Sequence, residues 1–279
     1  MQLTEEQVKG RLKSLAKQKN ADARTLMRVY MMERFLERVS TSKYKDNFII
    51  KGGMLITAMV GVSLRSTMDI DTSIKNQNLS EVDIRKILDE IGQIDIQDGV
   101  SFEIKNVSEI MDEMEYPGIR FSMDAVMGKL ITPMKIDIST GDVITPKAIE
   151  YSYKLLLEDR SIRLWSYNLE TILAEKLQTV LARGVFNTRM RDYYDINILL
   201  SIYDKNIDNS MLKNAFSATC KKRGTDILKS DARAILVDIK DDVRLRELWE
   251  SYRKKYTYAQ NISFETIMKS AEKLLDKIE

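Results

Sequence analysis

Ile50-Lys51-Gly52-Gly53-Met54-Leu55-Ile56-Thr57-Ala58-Met59-Val60 is followed, after four residues, by Arg65-Ser66-Thr67-Met68-Asp69-Ile70-Asp71, and the fold turns on this stretch. Asn47 to Ile50 is a short apolar strand, and the glycine pair then opens a buried apolar helix. Thr67 to Ile74 alternates and reads as a second strand. Residues two apart in a strand point to one face, roughly 6.5–7 Å apart. Asp69 and Asp71 therefore project together while Ile70 turns into the core. Two carboxylates on one face repel unless a cation lies between them. A third from a neighbouring strand would complete a site for one or two magnesium ions. Asp137 in Lys135-Ile136-Asp137-Ile138 alternates with isoleucines in the same way and is the best candidate. The glycine pair lets the backbone approach a phosphate at a helix N-terminus, although a tight turn without a ligand needs the same residues. Arg65 would either clamp a phosphate or pair with Asp69 or Asp71.

Working outward, the 279 residues are 44% hydrophobic and 31% charged, which is globular usage rather than the signature of disorder. No apolar run approaches the roughly 18–20 residues of a membrane span. The polar opening Met1-Gln2-Leu3-Thr4-Glu5-Glu6 does not read as a secretory signal. There is no histidine, which excludes Ser-His and Cys-His nucleophile pairs and imidazole metal ligands. A single cysteine, Cys220, excludes an internal disulfide framework and thiolate-rich metal sites; it reads as a small buried hydrophobe in a reducing, cytoplasmic protein. Any metal is then a hard cation on oxygen ligands.

All three prolines and eight of the eleven glycines fall between residues 52 and 146, so long helices are expected on either side. Thr4-x-x-Gln7 forms a capping box for a first helix, and a second covers roughly residues 21–39. Ser80 opens a helix to Ile91. Val100–Val107, Ile119–Val126 and Leu130–Ser139 read as strands, the last two joined in a hairpin at Gly128-Lys129. From Asn168 the pattern is helical: one helix to Arg183, others from near Asn187, from Asn209, over 231–256 and over 264–278. The expected fold is α/β or α+β: a mixed-sheet domain with N-terminal helices over residues 1–165, and a helical domain over 166–279. Net charge runs +5 over residues 1–50, −6 over 51–165 and +3 over 166–279. An acidic centre between basic flanks suits metal ions and a polyanion, though solvated helix faces give the same numbers.

A second constellation lies on the helices: Glu170, Glu175-Lys176, Arg183 and Arg191-Asp192-Tyr193-Tyr194-Asp195. Lys176 and Arg183 share a helix face, as do Asp192 and Asp195. Alone they read as surface ion pairs. Lys221-Lys222-Arg223 and Arg253-Lys254-Lys255 read as solvated faces rather than nucleic-acid contacts.

The run from Ile50-Lys51-Gly52-Gly53 through Asp69-Ile70-Asp71 resembles the first signature of the AbiEii/AbiGii toxin family, nucleotidyltransferase-like toxins of bacterial abortive-infection systems. Lys135-Ile136-Asp137-Ile138 is similar to the second signature. Glu170 to Leu177 with Arg183 is similar to the third, and Arg191 to Ile196 to the fourth. The resemblance implies a DNA-polymerase-β-like nucleotidyltransferase core with a mixed β-sheet plus a C-terminal helical domain. It implies that Asp69 and Asp71 hold Mg2+ or Mn2+, with Asp137 a third ligand that helps activate the attacking hydroxyl. Gly52 and Gly53 would cradle the triphosphate, with Lys51 or Arg65 assisting. Lys176 would contact the nucleotide phosphates from the second domain, placing the NTP between the domains. Asp192 matches a position needed for toxicity, without an assigned chemical role. The implied reaction moves a nucleoside monophosphate from an NTP to an RNA acceptor, foremost the 3′ end of tRNA, in phage defence. A cognate AbiEi-like antitoxin is the implied partner, and no membrane. Transfer to a protein hydroxyl, or inhibition by NTP binding alone, are the alternatives.

Overall fold

The computed structural model describes residues 3–75, 80–110 and 118–279. The chain divides into two units, one of Met1–Asp142 with Ile149–Ser166, the other of Val143–Ala148 with Tyr167–Glu279.

The first unit begins with α1 (Glu5–Lys19), where Thr4 accepts from the Gln7 N–H and the Gln7 side chain takes the Thr4 N–H, the reciprocal cap expected. Asp22 caps α2 (Ala23–Thr41) by accepting from Thr25. Next come β1 (Phe48–Lys51), α3 (Gly52–Val60), β2 (Asp69–Ile74) and α4 (Glu81–Gly92), the last capped by Ser80. Three long strands follow, β3 (Val100–Ile110), β4 (Gly118–Met127) and β5 (Leu130–Thr140), then β6 (Ile149–Lys154) and β7 (Ser161–Ser166). They form a seven-stranded sheet in the order β3-β4-β5-β2-β1-β7-β6. It is mixed: β2 runs antiparallel to β1 but parallel to β5, and β1 runs parallel to β7. The expected hairpin is present, with Met127 opposite Leu130 across Gly128-Lys129 and Gly128 in the left-handed region at φ 60°.

The β6–β7 hairpin is an addition to the sequence reading. Both strands have only six residues, and β6 buries Tyr153 while leaving Ile149, Glu150, Ser152 and Lys154 exposed. Such an edge strand carries almost no hydrophobic pattern to find.

One face of the sheet is apolar. Ile50, Ile70, Phe121 and Ile136 are at most 1% exposed, and each contributes about 1.5–3 kcal/mol by leaving water. Helix α2 packs against β5 and β7, and its Phe35 meets Phe102 edge-on at 5.3 Å. Charged groups of α2 reach inward only with partners: Arg38 grips Asp98 with two hydrogen bonds of 2.8 Å and donates to the Val100 carbonyl.

In the second unit, α5 (Leu169–Arg183) is capped by Asn168, whose amide also donates to the Thr145 and Lys147 carbonyls. A 3-10 turn (Gly184–Phe186) leads to α6 (Met190–Tyr203), α7 (Asn209–Lys222), α8 (Leu228–Asp241), α9 (Val243–Lys255) and α10 (Phe264–Asp276). Residues 231–256 hold the end of α8 and all of α9, divided at Asp242, whose side chain accepts from the Leu245 N–H and starts α9. Cys220 is wholly buried, as a small hydrophobe should be. Among the described residues no helix is long and apolar enough to cross a membrane.

Glu33 is the unusual group of the first unit's core. It accepts from the Tyr153 hydroxyl at 3.2 Å and the Leu156 N–H at 2.9 Å, and burial pushes its carboxyl up to about 8. A raised carboxyl keeps its proton in the folded chain where the unfolded chain has lost it. Stability therefore drains away as pH rises from the ordinary glutamate range towards 8. Glu33→Gln should lose less melting temperature than the wild type between pH 5 and pH 9. Parallel melting curves across that range would refute a protonated Glu33.

Candidate active site

The sheet register lays charges out in rows on the face opposite Ile70 and Ile136. Lys51 pairs with Asp71 across β1–β2, Asp71 with Asp137 across β2–β5, and Asp137 with Arg120 across β5–β4. One row over four strands thus reads cation, carboxylate, carboxylate, cation. Asp69 lies one step along, beside Lys135.

Asp71 is fixed by the helix that follows β1. Lys51 is the N-cap of α3 but makes no side-chain cap bond. The N–H of Gly53 instead donates to Asp71 Oδ2 at 2.9 Å, so the cap comes from the neighbouring strand. This explains the glycine pair. Gly52 has φ 57°, and a Cβ there would run into the Asp71 carboxylate. A Cβ on Gly53 would lie 2.5 Å from Thr67 Oγ1. The turn expected to cradle a phosphate already holds one carboxylate, at one of its N–H groups.

Asp69 carries the strain of the arrangement. Burial, then the charges of Asp71 and Asp137, push its carboxyl above the ordinary aspartate value, with Lys135 and Arg120 opposing. The three carboxylates named from the sequence therefore sense one another. Hard oxygen donors that repel across one face fit a divalent cation, and Asp69 and Asp71 are such a pair. Asp137 is committed elsewhere: Arg120 Nε donates to Oδ1 and Nη2 to Oδ2, both at 2.7 Å. Among the described residues no three acidic or cysteine side chains are arranged to hold a metal ion. The pair fits a metal, and the third carboxylate is held by a guanidinium.

Lys51 and Arg65, nominated for phosphate, are both enclosed. The Lys51 ammonium donates to Ser139 Oγ at 2.7 Å and to Asp142 Oδ2 at 2.8 Å. Burial would raise the Asp142 carboxyl, but the Lys51 charge together with hydrogen bonds from Lys51, Ser139 and Ser73 outweighs it and holds it low. Arg65 is 1% exposed, and its guanidinium donates to the Ser66 carbonyl beneath Gly53. Sequence reading missed Arg120, Ser139 and Asp142. Arg120 had a signal, since counting outward in step from the turn at Gly128-Lys129 sets it opposite Asp137.

In the helical unit, Lys176 on α5 meets Asp192 and Asp195 on α6, at 2.5 and 2.9 Å, and Arg189 approaches Asp192 at 2.8 Å. These are not the surface pairs their spacing suggested. The two aspartate side chains are 1% and 0% exposed, because the face of α6 that carries them turns inward among its neighbours α5 and α10. Burial alone would depress the Lys176 ammonium, but the two carboxylates more than offset it and hold it above the ordinary lysine value. Asp192 is held low: its burial penalty is outweighed by Lys176 and Arg189. A phosphate would reach Lys176 only in competition with two buried carboxylates. Asp192 acts on Lys176 directly, as its counter-ion.

The family described as nucleotidyl transferase AbiEii toxin, type IV TA system, matches residues 34–270. Among solved structures, MenT4, a nucleotidyltransferase toxin from Mycobacterium tuberculosis H37Rv, aligns at 14% identity over 96% of this chain and 89% of its own, with a TM-score of 0.59. A nucleotidyltransferase from Helicobacter pylori aligns at 15% identity over 91% of this chain and 96% of its own, with a TM-score of 0.49. No curated protein matches the sequence.

Two substitutions separate the roles of these charges. Asp69→Asn removes one of three mutually repelling carboxylates, so the metal-free protein should melt a few degrees higher, about what 1 kcal/mol gives a domain of this size. A lower melting temperature would contradict the repulsion. Lys176→Met removes the cation shared by two buried carboxylates and should cost about 3–5 kcal/mol in denaturant unfolding. A loss below 1 kcal/mol would mean the cluster is hydrated.

Proposed function

The chain belongs to the AbiEii nucleotidyl transferase toxin family of type IV toxin–antitoxin systems, and from that premise we propose that it transfers a nucleoside monophosphate from an NTP to the 3′ hydroxyl of RNA, foremost tRNA. The acceptor oxygen forms a bond to the α-phosphorus, the bond from that phosphorus to the bridging oxygen of the β-phosphate breaks, and pyrophosphate leaves. Extending the 3′ end of tRNA would block its charging with amino acid and halt growth. An infected cell would use that arrest in phage defence, and the cognate antitoxin would restrain it otherwise.

The observation that carries this reading is the repelling pair Asp69 and Asp71 on one sheet face, with Asp71 seated at the start of α3. Asp69 and Asp71 would hold a Mg2+ or Mn2+ ion, which supplies charge neutralisation at the α-phosphate and the departing pyrophosphate. The Gly53 N–H holds Asp71 Oδ2, so that carboxylate is oriented before substrate arrives. Asp137 would take the acceptor proton only when its oxygens are free of Arg120, since both now accept guanidinium bonds.

Total bacterial tRNA incubated with the pure protein, Mg2+ and each α-labelled NTP in turn tests the reading. Label should appear on RNA with at least one NTP, resist protease, vanish with RNase, and be absent with Asp69→Ala. Label that resists RNase and yields to protease would move the acceptor to a protein hydroxyl. No label with any NTP would overturn transfer altogether.

A further inference from the structure

Lys51 and Arg65 are the two cations of the sheet unit that the sequence nominates for phosphate. Lys51 is spent on Ser139 and Asp142, and Arg65 is enclosed. Arg120 is paired as well, but it is less enclosed. Its side chain is 24% exposed, it shares the charged row with Asp71 and Asp137, and its charge reaches Asp69. Its planar fork spans both oxygens of Asp137. The same fork suits two oxygens of a phosphate, which a lysine cannot match.

We propose that Arg120 is a resident counter-ion that is exchanged during substrate binding: it neutralises Asp137 in the resting protein, yields that carboxylate to the divalent ion that accompanies the NTP, and passes its guanidinium to the triphosphate. This rests on the metal-dependent reading above. The charge logic is conserved at each stage. In the resting state Asp137, 6% exposed, would be a nearly buried unpaired carboxylate without Arg120. After the exchange the ion pairs with Asp137, and Arg120 meets a group more highly charged than the carboxylate it left. No covalent bond changes in the exchange.

The proposal gives Arg120 opposite effects on two ligands, which a purely structural residue cannot have. Arg120→Gln removes the competitor for Asp137, so Mn2+ alone, titrated by electron paramagnetic resonance, should bind about tenfold more tightly than to the wild type. The same variant at saturating Mn2+ should bind α,β-methylene nucleoside triphosphates about tenfold more weakly, since it lacks a charged bidentate contact. Arg120→Lys should fall between the two for the nucleotide. Adding Asp137→Asn to Arg120→Gln should cancel the gain in Mn2+ affinity and keep the nucleotide loss. If Arg120→Gln alone does not fold, this double variant, with no stranded charge, carries the nucleotide arm. Weaker or unchanged Mn2+ binding in Arg120→Gln, or unchanged nucleotide affinity in either variant, overturns the exchange. Asp69→Asn serves as the separate control: Mn2+ binding that survives it would sink the metal reading itself, whereas its loss beside an unresponsive Arg120→Gln would sink only the role of Arg120.

Discussion

The Asp71 carboxylate rests on the N–H of Gly53, and the arrangement of the sheet unit around β1, α3 and β2 follows from that contact. A helix whose own N-cap side chain makes no cap bond takes a carboxylate from the next strand as its cap, at the end of the helix that favours negative charge. Two glycines are needed because the carboxylate and Thr67 occupy the space where side chains would be. β2 lies between β1 and β5, which brings Asp137 level with Asp71 and Lys51 on its other side. Lys51 cannot sit on the glycine turn and reaches instead to Ser139 and Asp142.

What results is a sheet face on which charge is nearly balanced except at one point. Asp71 has its helix, Asp137 its arginine, and Asp69 has only the weaker influence of Lys135 and Arg120 against burial and two like charges. Proteins tolerate such local repulsion where a ligand relieves it, and the cost is borne by the folded core beneath. Here that core is a layer of isoleucines and phenylalanines packed under α2. The helical unit solves its charges the other way. Lys176 stands between Asp192 and Asp195, with Arg189 beside Asp192, so opposite charges tie α5 to α6.

The elements with strong periodicity were legible: the capped helices at Thr4, Ser80, Asn168 and Ser263, the hairpin at Gly128-Lys129, and the alternation that put Asp69, Asp71 and Asp137 on one face. The β6–β7 hairpin was not, because a six-residue edge strand with one buried side chain looks like a loop. Burial of the Lys176 cluster was not, because spacing of three or four residues tells which side chains share a helix face but not whether that face meets water or protein. The enclosure of Lys51 and Arg65 was also hidden, since it depends on where long, flexible side chains find partners after the backbone has folded. Arg120 lies between these cases: its pairing follows from the turn, but only to a reader who already suspects Asp137.

The second unit owns Val143–Ala148, a piece of chain that both leaves and re-enters the first. The backbone therefore crosses from one unit to the other three times, after Asp142, after Ala148 and after Ser166. Asn168 needs the Thr145 and Lys147 carbonyls to set the start of α5, so the helical unit is not a cassette that recombination could lift out at a single joint. A chimera that borrowed residues 167–279 alone would carry an α5 stripped of its anchor. A single contiguous piece that keeps both Val143–Ala148 and the helices must carry the β6–β7 hairpin along with them.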